Sequence, residues 1–296
     1  MNKFFIVLLF GTAVLWGCNG RQNQQLSEND SLKTEKDTMH SNRVKKIFYN
    51  VPSPIEMTSV IQRSGAQYRA DILCPYKNIN KYTSLSKQAI MLGVYGSDLS
   101  YVRLFEQIQT AMNYLTSIKK LCDAIEIPQE QGSLAIQRME KNINNKDSLL
   151  QIISDTYAAA DIYLKDNDRG NTATLVILGG WIETLFIATS IAEYSNPSNK
   201  EIVDRIAEQK LSLQNLIELM KAYPEDKDLQ SYLPSIEDLK KVYDEVQIEY
   251  VKGNVVTDKD KKLTTIYSVA KIDFNIETFK KIKNLAKQIR TNLINF

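Results

Sequence analysis

Two carboxylates in this chain sit where a carboxylate is hard to place. Glu183 is the one charged residue in TATLVILGGWIETLFIATSIA, Thr172 to Ala192, and Trp181 stands two positions before it. An ionised acid in such surroundings needs a partner or takes up a proton, and both outcomes give the shifted acidities that functional sites use. Arg69 and Arg103 are the expected partners. Asp98 lies in LGVYGSDLSY, Leu92 to Tyr101, flanked by Tyr95 and Tyr101. Brought into one solvent-reached cleft, two such acids would make a general acid and a general base for hydrolysis. Tyr95, Asp98, Tyr101, Trp181 and Glu183 are therefore the candidate ligand-binding residues. The plain alternatives are a satisfied internal ion pair at Glu183 and a helix-capping role for Asp98.

Other chemistries are narrowed by what the chain lacks. Its single histidine, His40, lies in a polar N-terminal stretch, which leaves the rest of the chain without histidine ligands for zinc or a histidine for a catalytic triad. No Gly-x-Ser-x-Gly, His-Glu-x-x-His or Cys-x-x-Cys run occurs, and Gly93-x-x-Gly96 is too short for a dinucleotide or phosphate loop. No metal and no cofactor is expected. Cys74 and Cys122 form a candidate disulfide or two buried thiols; Cys122 shares a helical face with Leu115, Ile118 and Ile125. With 37 basic and 35 acidic residues interspersed along the chain, nothing points to a nucleic acid partner. Fifteen tyrosines against nine phenylalanines would suit a binding groove, and equally the margin of a helical core.

The elements that must position these residues read as helices. Ser53, Pro54 and Glu56 make a capping box with proline at the first helical position, and Gly65 is a natural stop. Residues 66–82 read as irregular. A short helix is predicted for 84–92, an interruption at GVYG, and a long helix for 97–124 from the spacing of Leu99, Val102, Phe105, Ile108, Met112, Leu115 and Ile118. Further helices are predicted for 133–144, 147–164 with Asp147 as cap, 172–194, 201–223, a segment opened by Pro234 and Ser235, and 275–295. Alternation at Val246, Ile248, Tyr250 and at Leu263, Thr265, Tyr267 is compatible with a small hairpin near 246–268. The fold class is thus all-α, a bundle of about eight to nine helices. The apolar stretch at 172–192 is long enough to span a bilayer, but Glu183 at its middle would cost roughly 2.5–3.5 kcal/mol there, so a helix buried at the centre of the bundle is expected instead.

The N-terminus carries a different signal. Lys3 is the only charge before Cys18, and Phe4 to Trp16 is almost wholly apolar, the pattern of a secretory signal peptide too short to span comfortably. The boundary Leu15-Trp16-Gly17-Cys18 resembles the lipobox of bacterial lipoproteins, although Trp16 stands where a small residue is usual. That resemblance covers about 20 residues and implies that Cys18 becomes the acylated first residue of the mature protein; two or more acyl chains give stable anchoring. The polar run NGRQNQQLSENDSLKTEKDTMHSN that follows reads as a tether. The chain also resembles Bacteroidetes-type lipoproteins, whose exported members carry acidic residues after the cysteine. Asn19, Gly20 and Arg21 stand there instead, which implies an outer membrane location facing the periplasm. The expected organisation is a signal peptide at 1–17, a lipidated N-terminus and tether at 18–43, and one helical domain at 44–296. The expected function is binding of an envelope protein or small ligand, with a carboxylate-dependent hydrolase using Glu183 and Asp98 as the alternative.

Overall fold

The most apolar helix of the sequence is the axis of the fold. The structure is a computed structural model that describes residues 54–128, 133–145, 148, 151–152, 155, 162–164, 166–258 and 263–295. All of these belong to one unit that runs from Lys46 to Phe296. The expected signal peptide, Cys18, the expected tether and the expected caps Ser53 and Asp147 lie outside the described residues. Eight α-helices are bounded among the described residues: α1 (Pro54–Arg63), α2 (Leu85–Leu104), α3 (Ile108–Ala124), α4 (Ser133–Lys141), α5 (Gly170–Ile191), α6 (Lys200–Lys221), α7 (Lys227–Tyr243) and α8 (Ile276–Ile294); residues 148, 151–152, 155, 162–164 and 166 are helical as well. Strands β1 (Gln247–Asp258) and β2 (Leu263–Asp273) form one antiparallel hairpin. The protein is all-α with a small two-stranded sheet.

Helix α5 is long and apolar enough to cross a membrane by length and composition, and most of its surface is buried inside the protein. Its closest neighbour is α2. The two backbones approach through glycines: a methyl group at Gly93 would overlap the Val176 carbonyl oxygen and lie 2.6 Å from the Gly180 nitrogen, and one at Gly179 would overlap the Ile90 carbonyl. Gly93 therefore does not break the helix, as the GVYG reading expects. α2 runs unbroken through it, because the missing side chain is used for contact rather than for a turn. The true break lies later. Glu106 takes φ 58°, its amide donates to the Arg103 carbonyl, and the Gln107 amide donates to Val102 at 3.0 Å. This is a Schellman motif without glycine. Glu126, φ 56°, repeats it at the end of α3, with the Ile127 amide donating to Cys122.

The other elements follow local rules. Asn275 caps α8 by accepting from the Thr278 amide at 2.9 Å, and Asp226 caps α7 by accepting from Leu229. The latter moves the start of α7 ahead of the expected Pro234–Ser235 opening, so that Pro234 sits inside the helix. The Gln230 side chain then ties the preceding turn by donating to the Met220 and Tyr223 carbonyls. The hairpin pairs Gln247 with Asp273 at its base and Asp258 with Leu263 at its far end, with a register shift between Lys252 and Val255. Ile248 and Ile272, paired near the base, pack on the core. Before α2, residues 66–82 form two short 3₁₀ turns, Ala70–Ile72 and Tyr76–Lys81.

The glycine contacts make a direct expectation. Gly93→Ala should destabilise the protein by about 3 kcal/mol or more, as a severe overpacking change, in urea unfolding followed by circular dichroism. Gly180→Ala, whose methyl would meet the Gly93 oxygen at 3.4 Å, should be far milder. Glu106→Gly should be neutral or stabilising by up to about 1 kcal/mol, because it relieves a left-handed non-glycine residue.

Candidate functional site

The crossing of α2 and α5 brings Asp98 and Glu183 together. Both are fully buried, at 0% exposure. Glu183 is bound by the fork of Arg290 on α8: Nε donates to Oε2 at 2.7 Å and Nη2 to Oε1 at 2.8 Å. Arg290 Nη2 also donates to the Ile72 carbonyl at 3.1 Å, and the guanidinium lies over the Phe186 ring, 4.2 Å from its centroid. Asp98 Oδ2 accepts from the Cys74 amide at 3.2 Å. The cluster therefore ties α2, α5, α8 and the 66–82 segment to one point.

Glu183 is thus paired with an arginine, though neither of the two expected. Arg69 lies at the surface, bound to Asp71 and donating to the Ser190 carbonyl. Arg103 is buried near the end of α2, and its Nε and Nη1 have no partner among the described residues. Arg290 did leave a trace in the sequence. It falls in the i, i+4 row of Ile282 and Ala286 on the apolar side of α8, and it is the one arginine among that helix's lysines. Arginine is favoured over lysine for a buried two-pronged bond to a carboxylate.

Asp98 is not a helix cap. It is the fourteenth residue of α2, and burial beside Glu183 pushes its carboxyl well above the usual range. Burial also raises Glu183, against the pull of Arg290. Around the pair, the Cys74 thiol and the Tyr82, Tyr95 and Tyr114 hydroxyls are all pushed up, with burial as the largest cause. These groups remain neutral across the physiological range.

The remaining candidates are also interior. Tyr95 donates to the Pro75 carbonyl at 3.1 Å. The Tyr101 hydroxyl accepts from the Arg69 amide at 2.9 Å, and burial raises it to about 12. Trp181 Nε1 donates to Ser212 at 2.9 Å, on the side of α5 that meets α6. Each polar tip is used by the protein's own groups, so the five residues form parts of one packed interior rather than an open groove. Cys74 and Cys122 are both buried free thiols, which corrects the candidate disulfide. The Cys74 carbonyl accepts from the Tyr114 hydroxyl, and burial raises both thiols. No group of three or more potential metal ligands occurs among the described residues. No family model, curated protein or solved structure matches the chain.

The cluster can be ranked by what each truncation strands. Arg290→Met leaves Glu183 buried without its cation and should cost about 3–5 kcal/mol. Glu183→Gln should cost clearly less, because Asp98 is placed to ionise and compensate Arg290 in its stead. Urea melts of the two variants at neutral pH check the order.

Proposed function

We propose that this chain is a lipid-anchored protein of a bacterial envelope, held to the outer membrane through Cys18 and facing the periplasm, where its helical domain works by binding an envelope protein or a small ligand. The anchor rests on the basic start, the apolar run and the Leu15-Trp16-Gly17-Cys18 boundary. The preference for binding over catalysis rests on one observation: Asp98 and Glu183 meet, and both are sealed from solvent. Both oxygens of Glu183 and Oδ2 of Asp98 are already occupied by Arg290 and the Cys74 amide. A hydrolase acid or base has to reach its substrate and exchange its proton with water. The adjacency of the two acids is the one feature that favours the carboxylate-hydrolase alternative; their burial and their bonding to the protein's own groups count against it.

Two measurements test the proposal. Cells grown with a clickable fatty-acid analogue should label the protein, and Cys18→Ala should abolish the label; a labelled alanine variant would overturn the anchor. Native mass spectrometry of the purified mature protein should show a bound small molecule or partner that Asp98→Asn leaves in place. Loss of that mass in a well-folded Asp98→Asn variant would put the acid pair in the working site and favour the alternative.

A further inference from the structure

We infer that Asp98 and Glu183 hold a single proton between them, forming a proton-binding site at the junction of α2, α5, α8 and the 66–82 segment, and that loss of this proton loosens the hold on α8. The inference stands on a charge count and on one atom, and it is independent of the proposed function. Two carboxyl groups and one guanidinium share a volume with no exposed acid surface. The other titratable groups facing them are Tyr68, Cys74 and Tyr82 from the 66–82 segment, Tyr95 from α2 and Tyr114 from α3, all acids that stay neutral. Among the described residues, Arg290 is the one cation acting on the pair. With both carboxyls ionised the cluster would carry an uncompensated buried negative charge; with one proton it is neutral.

The atom is Asp98 Oδ1. It is buried and meets no N–H or O–H donor. Its neighbour is the Glu183 carboxyl, an acceptor whose two oxygens face Arg290. A proton on Asp98 resolves both problems at once, since the acid O–H then donates to Glu183 while Oδ2 keeps the Cys74 amide. Deprotonation would set two anions against each other in the interior. Withdrawing Arg290 would only enlarge the excess, so relief comes from water that enters as the packing of α8 around Arg290 loosens. Near this end α8 is otherwise held to the 66–82 segment and α2 by Tyr82 donating to the Ile294 carbonyl and by Lys87 donating to the Asn292 and Leu293 carbonyls.

The sign of the linkage follows. An unfolded aspartate releases its proton near pH 4, whereas the folded pair keeps one. The native state then binds one more proton than the unfolded chain, so the folding constant falls tenfold per pH unit from about pH 5 upward until the pair itself ionises. The surface acids Asp71, Glu201 and Glu245 are held below their ordinary values by arginine and lysine partners, so their titration lies below this window.

The test uses the full chain and Asp98→Asn, whose amide N–H can replace the acid proton. At neutral pH the infrared difference between the two should contain the carbonyl stretch of a protonated carboxyl. Urea unfolding between pH 5 and 8 should show a pH slope shallower by one proton in the variant. Hydrogen exchange of α8 amides, corrected for the intrinsic rate, should accelerate with pH in the wild type only. Absence of the protonated-carboxyl band, or equal slopes in the two proteins, would overturn the inference. If Asp98→Asn does not fold, Glu183→Gln decides: Asp98 should then ionise against Arg290 and the band should vanish, whereas a band that persists would refute the sharing.

Discussion

The contact between the backbones of α2 and α5 is the constraint on which the rest of the structure depends. Gly93 lies against Val176 and Gly180, and Gly179 against Ile90, with no side chain between the helices. Ser97 reinforces the approach by donating to the Gly180 carbonyl at 2.9 Å and accepting from Thr184 at 3.1 Å. Each of these glycines costs about 1 kcal/mol of helix propensity relative to alanine, which dense packing must return. The closeness also decides what faces what. Asp98 is one residue past Ser97, and Glu183 one before Thr184, so the crossing that suits the glycines drives two carboxyls together in the interior.

Everything else at the junction answers that juxtaposition. A lone buried carboxylate would be neutralised or would destabilise the fold. Arg290 reaches in from α8 with 12% of its side chain exposed, engages Glu183 with two nitrogens and uses one of them also for the Ile72 carbonyl. The 66–82 segment, with little regular structure of its own, is fixed in the same way: the Cys74 amide on Asp98, the Cys74 carbonyl on Tyr114 and the Pro75 carbonyl on Tyr95. Polar groups of an irregular segment cannot be buried without such partners, so Tyr95 and Tyr114 serve here as donors to this segment, while Tyr101 accepts from its Arg69 amide.

How much of this was legible follows from where the information lies. Amphipathic spacing gave the helices, because a 3.6-residue period is written locally; the helix read for 275–295 differs from α8 by one residue at each end. The break between α2 and α3 was misplaced because the sequence has glycine where packing needs it and glutamate where the turn needs it. Glu106 and Glu126 adopt left-handed backbone with no composition signal. Glu183 was legible as a buried, paired acid, since one charge in an apolar helix has few other fates. Its partner was not: Arg290 is 107 residues away, and spacing cannot rank distant arginines. The meeting of Asp98 with Glu183 depends on a helix crossing that only the fold specifies.

A buried two-acid, one-arginine cluster is a poor source of net stability, since well-packed apolar side chains would serve as well or better. Its effect on α8 is of another kind. The helix carries apolar residues at Phe279, Ile282, Ala286, Ile289 and Leu293, a stripe that would fit a groove nearly as well if shifted by one turn. Arg290 removes that ambiguity. A shift of about 5.4 Å, one helical turn, would take the guanidinium from Glu183, from the Ile72 carbonyl and from the Phe186 ring together, leaving the acids without a cation. Apolar packing thus determines which face of α8 is buried, while the charge cluster determines its register along the helix axis.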